Sequence, residues 1–226
     1  MLDAETTDEG RAEVLTQLAR VELGRDRFEA AHALLERADA LAGPTGAARA
    51  RVLLEGGRVA RQEDGDQAAV PMLARAYDEA LGAEAYFIAA DAAHSCALAD
   101  DMVAWTERGL DVAERHEAAA YWKGTLLMNL GEWQFERGHY DESLATFRAS
   151  LEAREREWRN PELTEHARLG TARALQAIGK PEEALPLLDQ VLEWVEASGR
   201  DWPWAGLFRD ELSAMRIEIA SSVSDT

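Results

Sequence analysis

Helix-breaking signals recur along this 226-residue chain at a spacing that points to a repeated unit. Gly24, Gly65, Gly138 and Gly179 are separated by 41, 73 and 41 residues, so the middle interval holds two units with one glycine replaced. Asp100-Asp101 fills the missing place, because an aspartate can cap the helix that follows. Five units of roughly 33–41 residues result, each long enough for a helix, a short turn and a second helix. A single unit of that size cannot bury its own apolar side, so the chain is expected to stack neighbour on neighbour.

The second helices carry a common stripe. Ala31, Leu35 and Ala38 in the first unit match Ala69, Leu73 and Ala76 in the second. Ser143, Phe147 and Ser150 in the fourth match Ala184, Leu188 and Val191 in the fifth. Steps of four and three residues keep each set on one helical face, where small residues admit a partner helix and the large one fills the gap. Met102, Thr106 and Gly109 in the third unit fit the pattern poorly. Pro71 and Pro186 fall at equivalent places, two residues after Ala69 and Ala184. Asn160-Pro161-Glu162 reads as a helix start, and Gly43-Pro44 and Ser198-Gly199 read as helix ends closed by a left-handed residue. No alternating apolar pattern of useful length occurs, which makes the expected fold all-α.

At Leu130-Gly131 through Gly138-His139-Tyr140-Asp141-Glu142-Ser143, continuing to Phe147 and Ser150, the chain resembles the tetratricopeptide-repeat family. Gly179-Lys180-Pro181-Glu182-Glu183-Ala184-Leu185 carries the likeness into the fifth unit, and Phe28-Glu29-Ala30-Ala31 carries it more loosely into the first. The resemblance implies a right-handed α-solenoid of about five helix–turn–helix repeats with long helices, as in bacterial members. The units are expected at about 10–43, 45–81, 82–115, 117–158 and 161–198. A capping helix over 201–220 follows from Asp201, Pro203 and an apolar stripe of Trp204, Phe208, Leu212, Met215 and Ile219. Trp202 is open to either packing or partner contact. Residues 1–9 and 221–226 are expected to be flexible tails.

Charge narrows the function. Forty-three acidic against 24 basic residues give a net charge of −19, which disfavours nucleic acid and anionic membrane as partners. No stretch reaches the roughly 18 apolar residues needed to span a bilayer, and the acidic start lacks signal-peptide character, so a cytoplasmic protein is expected. Cys96 is the lone cysteine, which removes intrachain disulfides and cysteine-based metal clusters. Five histidines at no shared ligand spacing, and no phosphate loop, zinc helix or nucleophile elbow, lead to the expectation of a non-enzyme without cofactor or metal.

The family likeness implies that the first helix of each pair lines a concave face that binds peptides or protein segments. On that basis the candidate contact residues are Arg20, Arg51, Arg58, Arg61, His94, Asn129, Glu132, Arg173 and Gln176. Arg51, Arg58 and Arg61 lie at steps of seven and three, so they form a basic stripe on an acidic molecule. Guanidinium forks suit carboxylates, which points to an acidic segment or a free C-terminus as the partner chemistry. The competing reading pairs these arginines internally, with Glu55 and Glu22 as partners. Asn129 offers both a donor and an acceptor to a ligand backbone. Two functions are consistent with these features: a passive interaction scaffold, or a ligand-responsive sensor acting on a separate effector. Homodimerisation through the convex side or terminal helix is compatible with the sequence but not required by it.

Overall fold

In the computed structural model, residues 7–156, 160–198 and 213–221 are described, and among them all regular structure is helical. The chain forms two compact units, residues 1–123 and 124–226. The first contains α1 (Asp8–Leu23), α2 (Phe28–Leu41), α3 (Ala47–Asp64), α4 (Asp66–Gly82), α5 (Tyr86–Ala99), α6 (Met102–Arg115) and a single 3-10 turn, Glu117–Ala119. α7 (Tyr121–Glu136) starts at its end and runs into the second, which continues with α8 (Tyr140–Arg156), α9 (Pro161–Ala177) and α10 (Pro181–Ser198). A further helix, α11, occupies 213–221.

Local chemistry sets the helix ends. The side chains of Thr7, Asp101 and Asn160 accept hydrogen bonds from Gly10, Ala104 and Leu163 N–H groups at 3.1, 3.0 and 3.4 Å, satisfying donors that the first turn leaves open. Asp101 thereby starts α6 where the repeating glycine is missing. Gly138 and Gly179 take φ of 78° and 75°, a region costly for any residue with a Cβ. Gly24 stays helical, and Asp26 supplies the left-handed residue of that turn instead, at φ 57°. The left-handed end expected at Gly43-Pro44 does not form: α2 closes on an extended Ala42. A proline drives the residue before it toward extended backbone, which excludes that cap at Gly43. Arg49 covers the open carbonyls, donating from Nε to Gly43 O at 3.0 Å and from Nη2 to Ala42 O at 3.2 Å. Gly199 lies outside the described residues.

The small–large–small stripes are buried in the first, second, fourth and fifth pairs. In the third pair, Thr106 and Gly109 are also buried, beside Trp105, Val112 and Ala113. Glycines on first helices make room for the large residue of the stripe. A Cβ at Gly57 would stand 2.5 Å from the Leu73 side chain, and Cβ atoms at Gly131 and Gly170 would stand 2.6 and 2.8 Å from Phe147. The serines of the fourth pair are buried hydroxyls that donate to α7, Ser143 to Gly131 O and Ser150 to Gly124 O, both at 2.8 Å. Pro71 and Pro186 sit inside α4 and α10. In the second unit, Met215 and Ile219 of α11 join the core formed by Phe147, Leu175, Leu188 and Val191, and Arg216 pairs with Asp189. Trp202, Trp204, Phe208 and Leu212 lie outside the described residues.

One helix departs from the amphipathic pattern. α5 is buried on most sides, packed by α3, α4 and α6, and ten of its 14 residues are buried. Its alanines allow that close packing. Its one carboxylate, Asp91, is therefore carried into the interior with it.

Candidate functional site

A carboxylate with no exposure must be neutralised or paired, because leaving a charge alone in a dry interior costs several kcal/mol. Asp91 meets that demand through α3. Arg51 Nη1 donates to Asp91 Oδ2 at 3.3 Å, and Arg58 Nη2 donates to Oδ1. Arg58 also donates to Ser95 Oγ at 3.2 Å and, from Nη1, to Glu55 Oε1 at 2.6 Å. Ser95 in turn donates its hydroxyl to Asp91 O at 3.0 Å. Arg20, from α1, approaches Asp91 and Glu55 at 3.7 and 3.8 Å, a Coulombic contact beyond hydrogen-bond length. Three guanidiniums thus surround two buried carboxylates, which leaves one positive charge over; half-exposed Glu13, 3.2 Å from Arg51 Nε, balances part of it from outside.

Glu55 is the poorly satisfied member. Its Oε2 is buried without a hydrogen-bond partner. Burial raises its pKa above the usual carboxylate value, against the opposing pull of Arg58 and Arg20. His94, one turn beyond Asp91, has its pKa lowered to about 4, chiefly by burial, with Asp91 opposing. It is neutral near pH 7, its Nδ1 has no partner, and its ring lies 5.2 Å from that of Trp122. Cys96 is fully buried with its thiol pushed up to about 12 by burial, so it is a core residue and not a nucleophile.

The arginine stripe on α3 splits by depth. Arg51 is buried and committed to Asp91 and Glu13. Arg58 holds the two carboxylates, and Arg61 donates from Nε to Asp66 at 2.7 Å and from Nη2 to Leu98 O at 3.4 Å. A cavity of about 600 Å³ opens above Arg58, with Arg20, Gly24, Arg61, Gln62 and Asp66 among its walls. Arg20 and Arg61, 44% and 35% exposed, are the charges it presents to solvent. Glu22 does not serve the stripe; it pairs with Arg25 and Arg27.

The candidates of the second unit have a different setting. Arg173 Nη1 donates to both carboxylate oxygens of Glu132, at 3.0 and 3.1 Å, and its guanidinium lies 4.6 Å from the centre of the Phe135 ring. Asn129 and Gln176 are half-buried. Sequence reasoning missed the unit's better-buried charges. Arg154 donates to Thr125 Oγ1 and fills the space where a Gly124 Cβ would stand 2.5 Å from its Nε. Arg168 pairs with buried Glu165. In the first unit, the available signal was Asp91 itself, a single carboxylate in an alanine-rich helix. Among the described residues, no group of three or more His, Cys, Asp or Glu is placed to hold a metal ion.

Residues 117–197 match the tetratricopeptide-repeat family model. No curated protein matches the chain in sequence. Among solved structures, the chain is similar to the TPR-like repeats assigned to a kinesin light chain of Podosopora anserina, at 19% identity and TM-score 0.59, over 85% of this chain and 99% of that one. A point variant of that protein aligns at 18% identity and TM-score 0.60, over 85% and 98%. MamA of AMB-1 aligns at 19% identity and TM-score 0.47, over 86% and 96%. Identities this low speak to the fold alone. No described helix is long and apolar enough to cross a membrane. Proteins of this repeat class generally mediate protein–protein interactions, on a fold that is typically a non-catalytic scaffold. Residues 117–197 carry the tetratricopeptide-repeat signature, and the chain shares the TPR-like helix-pair fold of the two kinesin-light-chain repeat structures.

Proposed function

We propose that this protein is a non-enzymatic, cytoplasmic interaction module whose first unit takes a partner's carboxylate, from an acidic segment or a free C-terminus, into the arginine-walled cavity beside α1 and α3. The observation that carries this reading is the division of labour among the arginines. Arg51 and Arg58 are held by Asp91 and Glu55, while Arg20 and Arg61 present guanidinium edges to a cavity of about 600 Å³. A guanidinium fixed before the ligand arrives loses less rotamer entropy on binding. Asp66, already on Arg61, is the kind of group the site accepts, and an incoming carboxylate would displace it. On the second unit, Asn129, Glu132, Arg173 and Gln176 supply the mixed donors and acceptors suited to a peptide backbone.

The test is a calorimetric titration with an acidic peptide bearing a free C-terminus, its C-amidated twin and a basic peptide. Arg61→Gln should weaken the acidic peptide at least tenfold while leaving thermal stability nearly unchanged, since its partners are the exposed Asp66 and one main-chain carbonyl, whereas Arg20 must stay because it faces buried Asp91 and Glu55. Equal affinity for acidic and basic peptides in the unaltered protein would end the proposal. Arg58→Glu is the wrong variant, because it would strand Asp91.

A further inference from the structure

Among the described residues, the first unit exposes two surfaces of opposite character. On α1, Val14, Leu18 and Val21 are 37%, 47% and 48% exposed, and steps of four and three place them on one ridge facing away from the helix's buried side. Arg11 lies on α1 beside that ridge and pairs with exposed Asp8, while Arg25 and Arg27, in the turn just past the helix end, share the single half-buried carboxylate of Glu22. Elsewhere, α2, α3 and α4 enclose a groove of about 350 Å³. Its floor is Leu35, Val52, Leu53 and Met72, and a Cβ at Gly56 would stand 2.8 Å from Met72 Sδ, so the absent side chain lets Met72 lie across α3. Its rim is acidic: Glu36, Asp39, Glu63 and Asp64, against His32, which lies 2.7 Å from Glu63, and Arg49, which pairs with Asp39. An apolar ridge flanked by arginines and an apolar groove with an acidic rim are complementary in both shape and charge.

We infer that the occupant of this groove is the α1 ridge of a second copy. Ridge and groove are different surfaces of one unit, so the contact is heterologous: each copy keeps one free ridge and one free groove, and association continues head to tail. Three ridge side chains in a groove of about 350 Å³ make a small interface, so the contact is reversible and needs high concentration. It leaves the arginine-walled cavity untouched and does not depend on the function proposed for it.

Sedimentation velocity on the full chain, from about 10 µM to about 1 mM to cover the weak range expected of a small interface, tests it with two variants. Leu18→Glu spoils the ridge and Met72→Glu spoils the groove. Both add the same sign, so neither repairs the other. The unaltered protein should grow past dimer with concentration, and each variant alone should stay monomeric. An equimolar mixture should form a one-to-one dimer and stop, because it contains one intact ridge and one intact groove that can meet. That restored dimer also shows that both variants are folded. Val21→Glu and Ala60→Glu are the replacements if either first variant loses its helical circular dichroism. Three outcomes overturn the inference: an unaltered protein that stays monomeric throughout, variants that associate as it does, and a mixture of folded variants that stays monomeric. Ridge-to-ridge pairing would appear as Met72→Glu associating by itself while Leu18→Glu does not, and a foreign partner as an unaltered protein that stays monomeric.

Discussion

The two units handle their first helices with different chemistry. In the first, α5 is buried with a carboxylate inside it, and α3 answers with Arg51 and Arg58. In the second, the charge pair that joins consecutive first helices, Arg173–Glu132, stays about one-third exposed, and Phe147 fills the room left by Gly131 and Gly170. Both units keep a glycine-backed wedge, Leu73 on Gly57 and Phe147 on Gly131, but the charges between first helices are a buried knot in one and a part-exposed pair in the other. A wedge fixes helix spacing and offers a partner nothing polar, whereas a knot with one surplus guanidinium fixes spacing and leaves charge at the surface.

Asp91→Ala leaves three arginines around an empty place and should cost about 3–5 kcal/mol, read by urea denaturation. A loss below about 1 kcal/mol would show that the knot is not structural.

Acid should act next, through His94. Its folded pKa of about 4 lies below the ordinary 6.5, so the unfolded chain takes up the proton first as pH falls. Stability should decline from about pH 6.5 toward pH 4, by about 3 kcal/mol in total. Glu55 works the other way, because its raised pKa favours the fold as acid is added. His94→Gln should flatten the decline in a series of melts at stepped pH, and an unchanged slope would assign it to other groups.

In the second unit, Gly131→Ala drives a methyl toward Phe147 and should cost about 1–3 kcal/mol, with Phe147→Leu recovering part of the loss in the double variant. Strict additivity would mean that glycine and ring do not share the space. The smallest effect belongs to Glu132→Gln, below about 1 kcal/mol, because water already screens that pair. A larger loss would erase the contrast between the units.

Most of the helix pairing was legible in the residues. Ala69, Leu73 and Ala76, or Ser143, Phe147 and Ser150, announce a buried face because helical period alone brings them together. Asp101 and Asn160 announced helix starts for the same local reason. Gly43 misled, since Pro44 outweighs glycine's freedom one residue earlier. The candidate site was legible only as a list: the arginine spacing on α3 was visible, but not which of them faced inward.

The chain's own order of residues settled an all-helical stack, the identity of its small–large–small seams and a strongly acidic surface, because each follows from steps of three or four residues or from simple counting. Tertiary structure alone decided the fate of the arginines. Arg51 and Arg58 reach Asp91 across 40 and 33 residues of chain. Charge pairing at that range depends on how α3 and α5 are set side by side, and no periodicity within either helix contains that information.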